Sequence, residues 1–309
     1  MSQTAAFDYI RSGQIPFFRL PQAESDFEGF RAVLLGVQWD GGTAHQPGAR
    51  FAPVHVRRVS ATMQSYNPLA RADVFSKVRA ADGGNIPVSP FNPGLMREVT
   101  ETAIGSVLAA GAVPLVVGGD HSVALPCLRA AARKHGPLAV VHVDAHLDVS
   151  GPEQWGDPYH HGTSMRHALE EGLIERGQLF QLGIRASWAD ANESALVTKH
   201  AGHIYTMEDI AVDGVAALMT HIRHEVGKRP VYLTFDVSGV DPAFAPGTGT
   251  PIPGGLSSRE ALELVRGLRG LNLCGADVVE VLPALDHADL TSHLAAHVLY
   301  EALGALAAQ

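Results

Sequence analysis

The chain has 309 residues, 46% of them hydrophobic and 18% charged, with a formal net charge of −9. That length and apolar share suit one large α/β domain or two small ones and argue against global disorder. An acidic balance with no run of Lys or Arg argues against a nucleic-acid or anionic-membrane surface, and no apolar stretch reaches the roughly 18 residues of a transmembrane span.

Strand-like and helical patterns alternate along the chain. Residues 31–37 (RAVLLGV) read as a strand, followed by a loop bearing Gly and Pro over 41–53. A helix is predicted over 96–110, a short strand over 113–117, a helix over 124–135 and a strand over 138–143. A helix over 163–175 and a strand over 179–182 follow. After them come a helix over 214–226, a strand over 230–235, a helix over 257–268, a strand over 274–281 and a final helix over 287–305. This alternation predicts an α/β fold, a single-domain three-layer αβα arrangement with a mostly parallel sheet. No linker or repeat divides the chain. An N-terminal extension of about 30 residues is expected to pack on the domain or on a neighbouring subunit. Cys127 and Cys274 read as small core residues in a reducing cytoplasm, and MSQTAAFDYIRSGQIPFF lacks the basic and apolar regions of a signal peptide.

Three clusters of ligand-type residues fall at the ends of predicted strands: Gly118-Gly119-Asp120-His121-Ser122, Asp144-Ala145-His146-Leu147-Asp148, and Asp236-Val237-Ser238-Gly239-Val240-Asp241-Pro242. In open parallel sheets, ligands gather outside the carboxyl ends of the strands, so all three should meet on one edge. Asp144, His146 and Asp148 alternate, which puts them on one face of an extended segment. Two glycines before Asp120 let the backbone turn tightly, and Asp120 also reads as a cap for a helix starting near Ser122. Asp236, close to a buried strand, would be costly unless paired or metal-bound. Asp241 before Pro242 reads as a turn residue. Carboxylates mixed with imidazoles suit Mn²⁺-like ions, with Ni²⁺ or Co²⁺ open, and two such ions can share and deprotonate a water.

The motifs GGDHS, VDAHLD and FDVSGVDPAFAPGTGTP resemble those of the ureohydrolase family of arginases, agmatinases and guanidino-acid hydrolases. The resemblance extends to IPFFRLP, HQPGARFAP, YHHGTSMRHALEEGLI and VVEVLPALDHADLT, nearly the whole chain. It implies a two-metal site held by His121, Asp144, His146, Asp148 and Asp236, with Asp144 and Asp236 bridging. Asp148 would carry a proton from water to the departing amine. His161, by itself a loop histidine, would be a proton shuttle at the site mouth, and Glu280 would pair with the substrate guanidinium. Asp120 would orient a ligand histidine. The implied reaction is urea release from a small cationic guanidino compound by a trimer or hexamer.

The chain departs from the family at Ser238, where an aspartate would ligate the second metal. Serine is neutral and a poor ligand, so the second ion should bind more weakly. Leu147 replaces a small or hydroxylated residue, and the segment VSGPEQWGDPY lacks the Asn and Ser pattern of arginases, favouring an agmatinase-like or guanidino-acid-like member. Three readings follow: a two-metal ureohydrolase, a weakly active or inactive subunit paired with a paralogue, and a hydrolase of a non-classical guanidine such as a biguanide.

Overall fold

Apolar runs with every residue buried become strands because helices cover both faces of the sheet they enter. The computed structural model describes residues 15–23, 25–151 and 154–309. Its strands are β1 (Ala32–Val37), β2 (Tyr66–Asn67), β3 (Ala72–Asp73), β4 (Ala80–Ile86), β5 (Val113–Val117), β6 (Leu138–Val143), β7 (Ile174–Ile184), β8 (His203–Thr206), β9 (Pro230–Asp236) and β10 (Asn272–Val279). Its α-helices are α1 (Ala52–Ser60), α2 (Val74–Val78), α3 (Pro93–Ala109), α4 (Ala124–His135), α5 (Ser164–Glu170), α6 (Ala195–Lys199), α7 (Met207–Asp213), α8 (Val215–Val226), α9 (Ser258–Arg266) and α10 (Leu290–Ala307). No helix among the described residues is long and apolar enough to cross a membrane.

Eight strands form one sheet in the order β4-β1-β5-β10-β9-β6-β7-β8, and β2 and β3 pair separately. Every pairing in the large sheet is parallel. Alternate strand residues feed two cores. Leu34, Leu115, Val141 and Phe235 pack with α1, α8, α9 and α10. Val33, Val116, Val140 and Tyr232 pack with α3, α4 and α5 on the other face. This is the predicted three-layer αβα domain. Its final helix is buried along almost its whole length within the chain itself, and Cys127 and Cys274 are free, buried core residues.

Chain order and sheet order part company twice: β4 lies outside β1, and a gap beside β5 is filled last. After β5 the chain leaves a gap, builds β6, β7 and β8, and only then fills the gap with β9 and β10. The carboxyl ends of β5, β10, β9 and β6 are therefore neighbours at a topological switch point, where such sheets bind ligands.

Several boundaries differ from the sequence expectations. The helix predicted over 163–175 ends at Glu170, and β7 begins at Ile174, well before the expected strand at 179. Gly172, at φ +69°, turns the chain between them. Helix α1 occupies part of the expected loop, and β4, α6, β8 and α7 were not expected. Of the N-terminal extension, residues 1–14 and 24 lie outside the described residues. Phe17 and Phe18 are fully buried against the domain.

Candidate metal centre and active site

Each expected site residue stands at the carboxyl edge. The turn after β5 is forced by close packing. A side chain on Gly119 would penetrate the Trp39 carbonyl, and that carbonyl accepts the Asp120 N–H at 2.9 Å. Gly239 similarly lets the turn after β9 lie on the Asp144 backbone, where a Cβ would fall 2.9 Å from Asp144 N.

These turns bring the second and third clusters onto His121. Its Nδ1 lies 3.1 Å from Asp144 Oδ2, 2.8 Å from Asp148 Oδ2 and 3.4 Å from Asp236 Oδ2. His146 Nδ1 is 3.1 Å from Asp144 Oδ1, which also accepts the His146 N–H at 2.7 Å. Asp144 and Asp236 are buried, and His121, His142, Asp144 and Asp148 offer ligand atoms within 4.8 Å of one another. Ser238 Oγ points into this group and donates to Asp144 Oδ1 at 3.0 Å, while its N–H donates to Asp236 Oδ1 at 2.6 Å.

The electrostatics call for a cation. Burial, and then the charge on Asp144, push Asp236 up to about 6. Asp144 is held well below the usual range: burial works against its charge, but hydrogen bonds from His121, His142 and His146 outweigh it. The buried Asp148 Oδ2 has no hydrogen-bond partner among the described residues. Three carboxylates around one imidazole nitrogen, one of them with an orphaned oxygen, form a donor set that fits a hard divalent ion. Asp148 and Glu280 also sit at φ +53° and +63°, a left-handed strain that clusters at functional sites.

Glu280 follows β10 and joins the cluster to His161. Its Oε1 accepts the His121 N–H at 2.9 Å and lies 2.9 Å from His161 Nδ1. The Ala44 N–H points at His161 Nε2 from 3.3 Å, so Nδ1 carries the proton given to Glu280. Burial opposes a charge on His161, but Glu280 outweighs it and lifts the ring to about 9. His161 lines a cavity of about 610 Å³ whose floor includes His121, His146, Asp148 and Asp236 and whose mouth includes Trp155 and Trp188.

Comparison with known proteins decides what family this edge belongs to. The model of the Arginase family matches residues 30–304. The chain belongs to the arginase family. Over 303 residues this arginase-family chain is 43% identical to guanidinopropionase of Pseudomonas aeruginosa, covering 98% of the chain and 95% of that protein. The solved structure of proclavaminate amidino hydrolase from Streptomyces clavuligerus matches with a TM-score of 0.91 at 40% identity, covering 96% of this chain and 98% of that one. Trypanosoma cruzi formiminoglutamase, solved with Mn2+2, matches at 0.86 and 26% identity, covering 95% and 99%. The arginase-family chain is thus a hydrolase of amidine C–N bonds, with a buried metal-binding cluster.

Sequence reasoning missed residues that brace this cluster. His142 continues the alternation of Asp144, His146 and Asp148 backwards by one step. Gln181 donates to Leu147 O at 2.7 Å and to His142 Nδ1 at 2.9 Å, so the His142 Nε2–H is the group aimed at Asp144 Oδ2, 3.0 Å away. Asp120 does not orient a histidine ring. Its carboxylate takes the Ser122 N–H at 2.9 Å and the Gly42 N–H at 2.7 Å, a helix cap that also ties down the loop after β1. The ring of His121 is oriented instead from β9 and β10. Its Nε2 is 2.8 Å from Thr234 Oγ1, which donates to the fully buried Asp277 at 2.6 Å. This relay puts a proton on Nε2 and turns Nδ1 toward the carboxylates. Thr234→Val is expected to weaken ion binding by about 10- to 100-fold, as loss of such bracing typically does, read by metal titration of the apo-protein. Unchanged affinity would mean that the relay from Asp277 does not set the ring.

The His161–Glu280 pair makes a pH prediction for the metal-free protein. A histidine raised from about 6.5 to about 9 adds stability fully present below pH 6.5 and lost as pH climbs through 9, at most about 3 kcal/mol. Glu280→Gln should bring His161 back toward its ordinary range in a proton NMR titration and flatten that part of the stability curve. A ring still titrating near 9 would assign the shift to another charge.

Proposed function

We propose that the chain hydrolyses a guanidino compound to urea and an amine, with two divalent ions held by His121, Asp144, His146, Asp148 and Asp236. Mn²⁺ is the first candidate, since hard oxygen donors dominate, and Ni²⁺ or Co²⁺ suit the same imidazoles. The observation that carries the reading is the convergence of the buried Asp144, Asp148 and Asp236 carboxylates on His121 Nδ1, at the floor of an open cavity. The Mn2+2 of the formiminoglutamase structure and the guanidinopropionase name of a 43% identical relative support it.

When bound, such ions acidify a water and offset the charge that builds on the tetrahedral centre. Asp148 takes the proton of the attacking water and passes it to the departing amine nitrogen. His161, held by Glu280 through Nδ1, relays a proton at the cavity wall. Glu280 Oε2, not engaged by His121 or His161, is left to pair with the guanidinium. A homo-trimer or hexamer in the cytoplasm is the expected setting.

Ser238 favours a second reading, a weakly active subunit working beside a paralogue, because the second ion lacks a carboxylate there. Elemental analysis of the protein purified alone, after growth with manganese and then nickel, tests both. About two ions per chain with urea released from a guanidine panel would sustain the enzyme reading. At most one ion, and urea only after a second ureohydrolase chain is added, would move the conclusion to the partner subunit. Ser238→Asp is expected to tighten the weaker ion by about 10-fold or more, measured by competition with a chelator. No gain would show that position 238 is not a ligand position.

A further inference from the structure

Three tryptophans occur in the chain. Trp39 is buried, whereas Trp155 and Trp188 are 63% and 40% exposed. Both exposed indoles line the cavity above the His/Asp cluster. Aromatic surface left open to water marks a place where something else is meant to pack. The cavity sets carboxylates against imidazoles, and among the latter His146 and His161 are raised to about 9. Among the described residues its lining includes Asp148, Asp236 and Glu193 but no lysine or arginine.

Asp148 and Asp236 belong to the floor and face the ion site. Glu193 does not. It lies on the wall shared with an adjoining hollow, whose own lining includes Arg166 and Lys199. The Ala189 N–H holds one oxygen of Glu193 in place. Arg166 is committed elsewhere, donating to the Val149 and Ser150 carbonyls and to Glu170. A substrate anchored by its guanidine at the floor would therefore send its other end toward two indoles and the Glu193 carboxylate, with Lys199 in the adjoining hollow.

We propose that Glu193, Trp155 and Trp188 select the far end of the substrate, and that this end is a cation, a protonated or alkylated amine, rather than a carboxylate. The inference rests on the hydrolase reading above and narrows it. An ammonium gains the faces of two indoles and a nearby carboxylate. A carboxylate at the same place gains neither and meets a like charge, which is how sites reject near-isosteric ligands.

Three ligands of matched length separate the possibilities: agmatine with an ammonium end, butylguanidine with an apolar end, and 4-guanidinobutyrate with a carboxylate end. Their Kd values would be measured by calorimetry on the metal-loaded protein, with turnover followed in parallel. Agmatine is expected to bind about 10-fold tighter than butylguanidine and about 100-fold tighter than guanidinobutyrate. Glu193→Gln should remove much of the preference for agmatine while leaving butylguanidine unchanged, and Glu193→Lys should favour the acid. Trp188→Leu should weaken agmatine more than the acid. Equal affinities, a preference for guanidinobutyrate, no binding of any of the three, or an order unmoved in both Glu193 variants would overturn the assignment. The expected order of binding with no hydrolysis would leave the far-end selection standing and remove the proposed reaction. Hydrolysis with preference for the acid would do the reverse.

Discussion

Replacing Asp144 with asparagine is expected to leave a folded protein that holds almost no metal and releases no urea. Asp144 is fully buried, and its two oxygens collect the rings of His121, His142 and His146, the His146 N–H and the Ser238 hydroxyl. Asparagine keeps the volume but removes the charge and turns one acceptor into a donor. Whichever way its amide lies, the NH₂ faces donors: the Nε2–H of His142 on one side, the His146 N–H and Ser238 hydroxyl on the other. Removing one member of a buried charged network costs about 3–5 kcal/mol, which as lost ion affinity is a factor of about 10²–10⁴. Elemental analysis after dialysis reads the loss directly, and circular dichroism checks the fold. Wild-type metal content in the variant would remove Asp144 from the centre of the site.

Gly119→Ala should be the most damaging small substitution at the site edge. The added methyl would overlap the Trp39 carbonyl. Relief by backbone movement would break the Asp120 N–H bond to Trp39 O and the Glu280 N–H bond to Gly119 O, both 2.9 Å. A loss of at least about 4 kcal/mol is expected, against a total stability of about 5–15 kcal/mol for a typical domain. Gly105 supplies the control. It lies inside α3 with nothing within 4 Å of the place an added methyl would take, so Gly105→Ala should gain about 0.5–1 kcal/mol. Urea midpoints measure both. If Gly119→Ala melts with wild type, the two glycines before Asp120 are not a steric requirement.

The strand VVHV and the helix after GGDHS could be read at their observed bounds because burial on both faces leaves an unbroken apolar run and a clean periodic switch. Strand β4, AADGGNI, could not. It carries an aspartate and two glycines at the sheet edge and is a strand because β1 pairs with it and because Phe17 N–H and Arg57 hold Asp82. The first half of β7, IERGQ, is equally silent, being polar and laid down by its neighbours rather than by propensity. At the site, His121, Asp144, His146, Asp148 and Asp236 were visible as ligand-type clusters at strand ends, and Glu280 only through the resemblance. Thr234, Asp277 and Gln181 were hidden inside strands. Their value lies in the cross-strand register that sets Thr234 beside Asp277, which no spacing along one segment reports.

Late arrival of β9 and β10 has a consequence for how the protein matures. The proposed donors come from positions 121 to 236, and the two strands that wedge the set together are the last strands to be made. A chain still being synthesised owns His121 and the Asp144–Asp148 turn long before it owns Asp236, Thr234 or the Asp277 brace. An ion held by the whole donor set therefore needs the central pair of strands in place, which couples its binding to completion of the sheet.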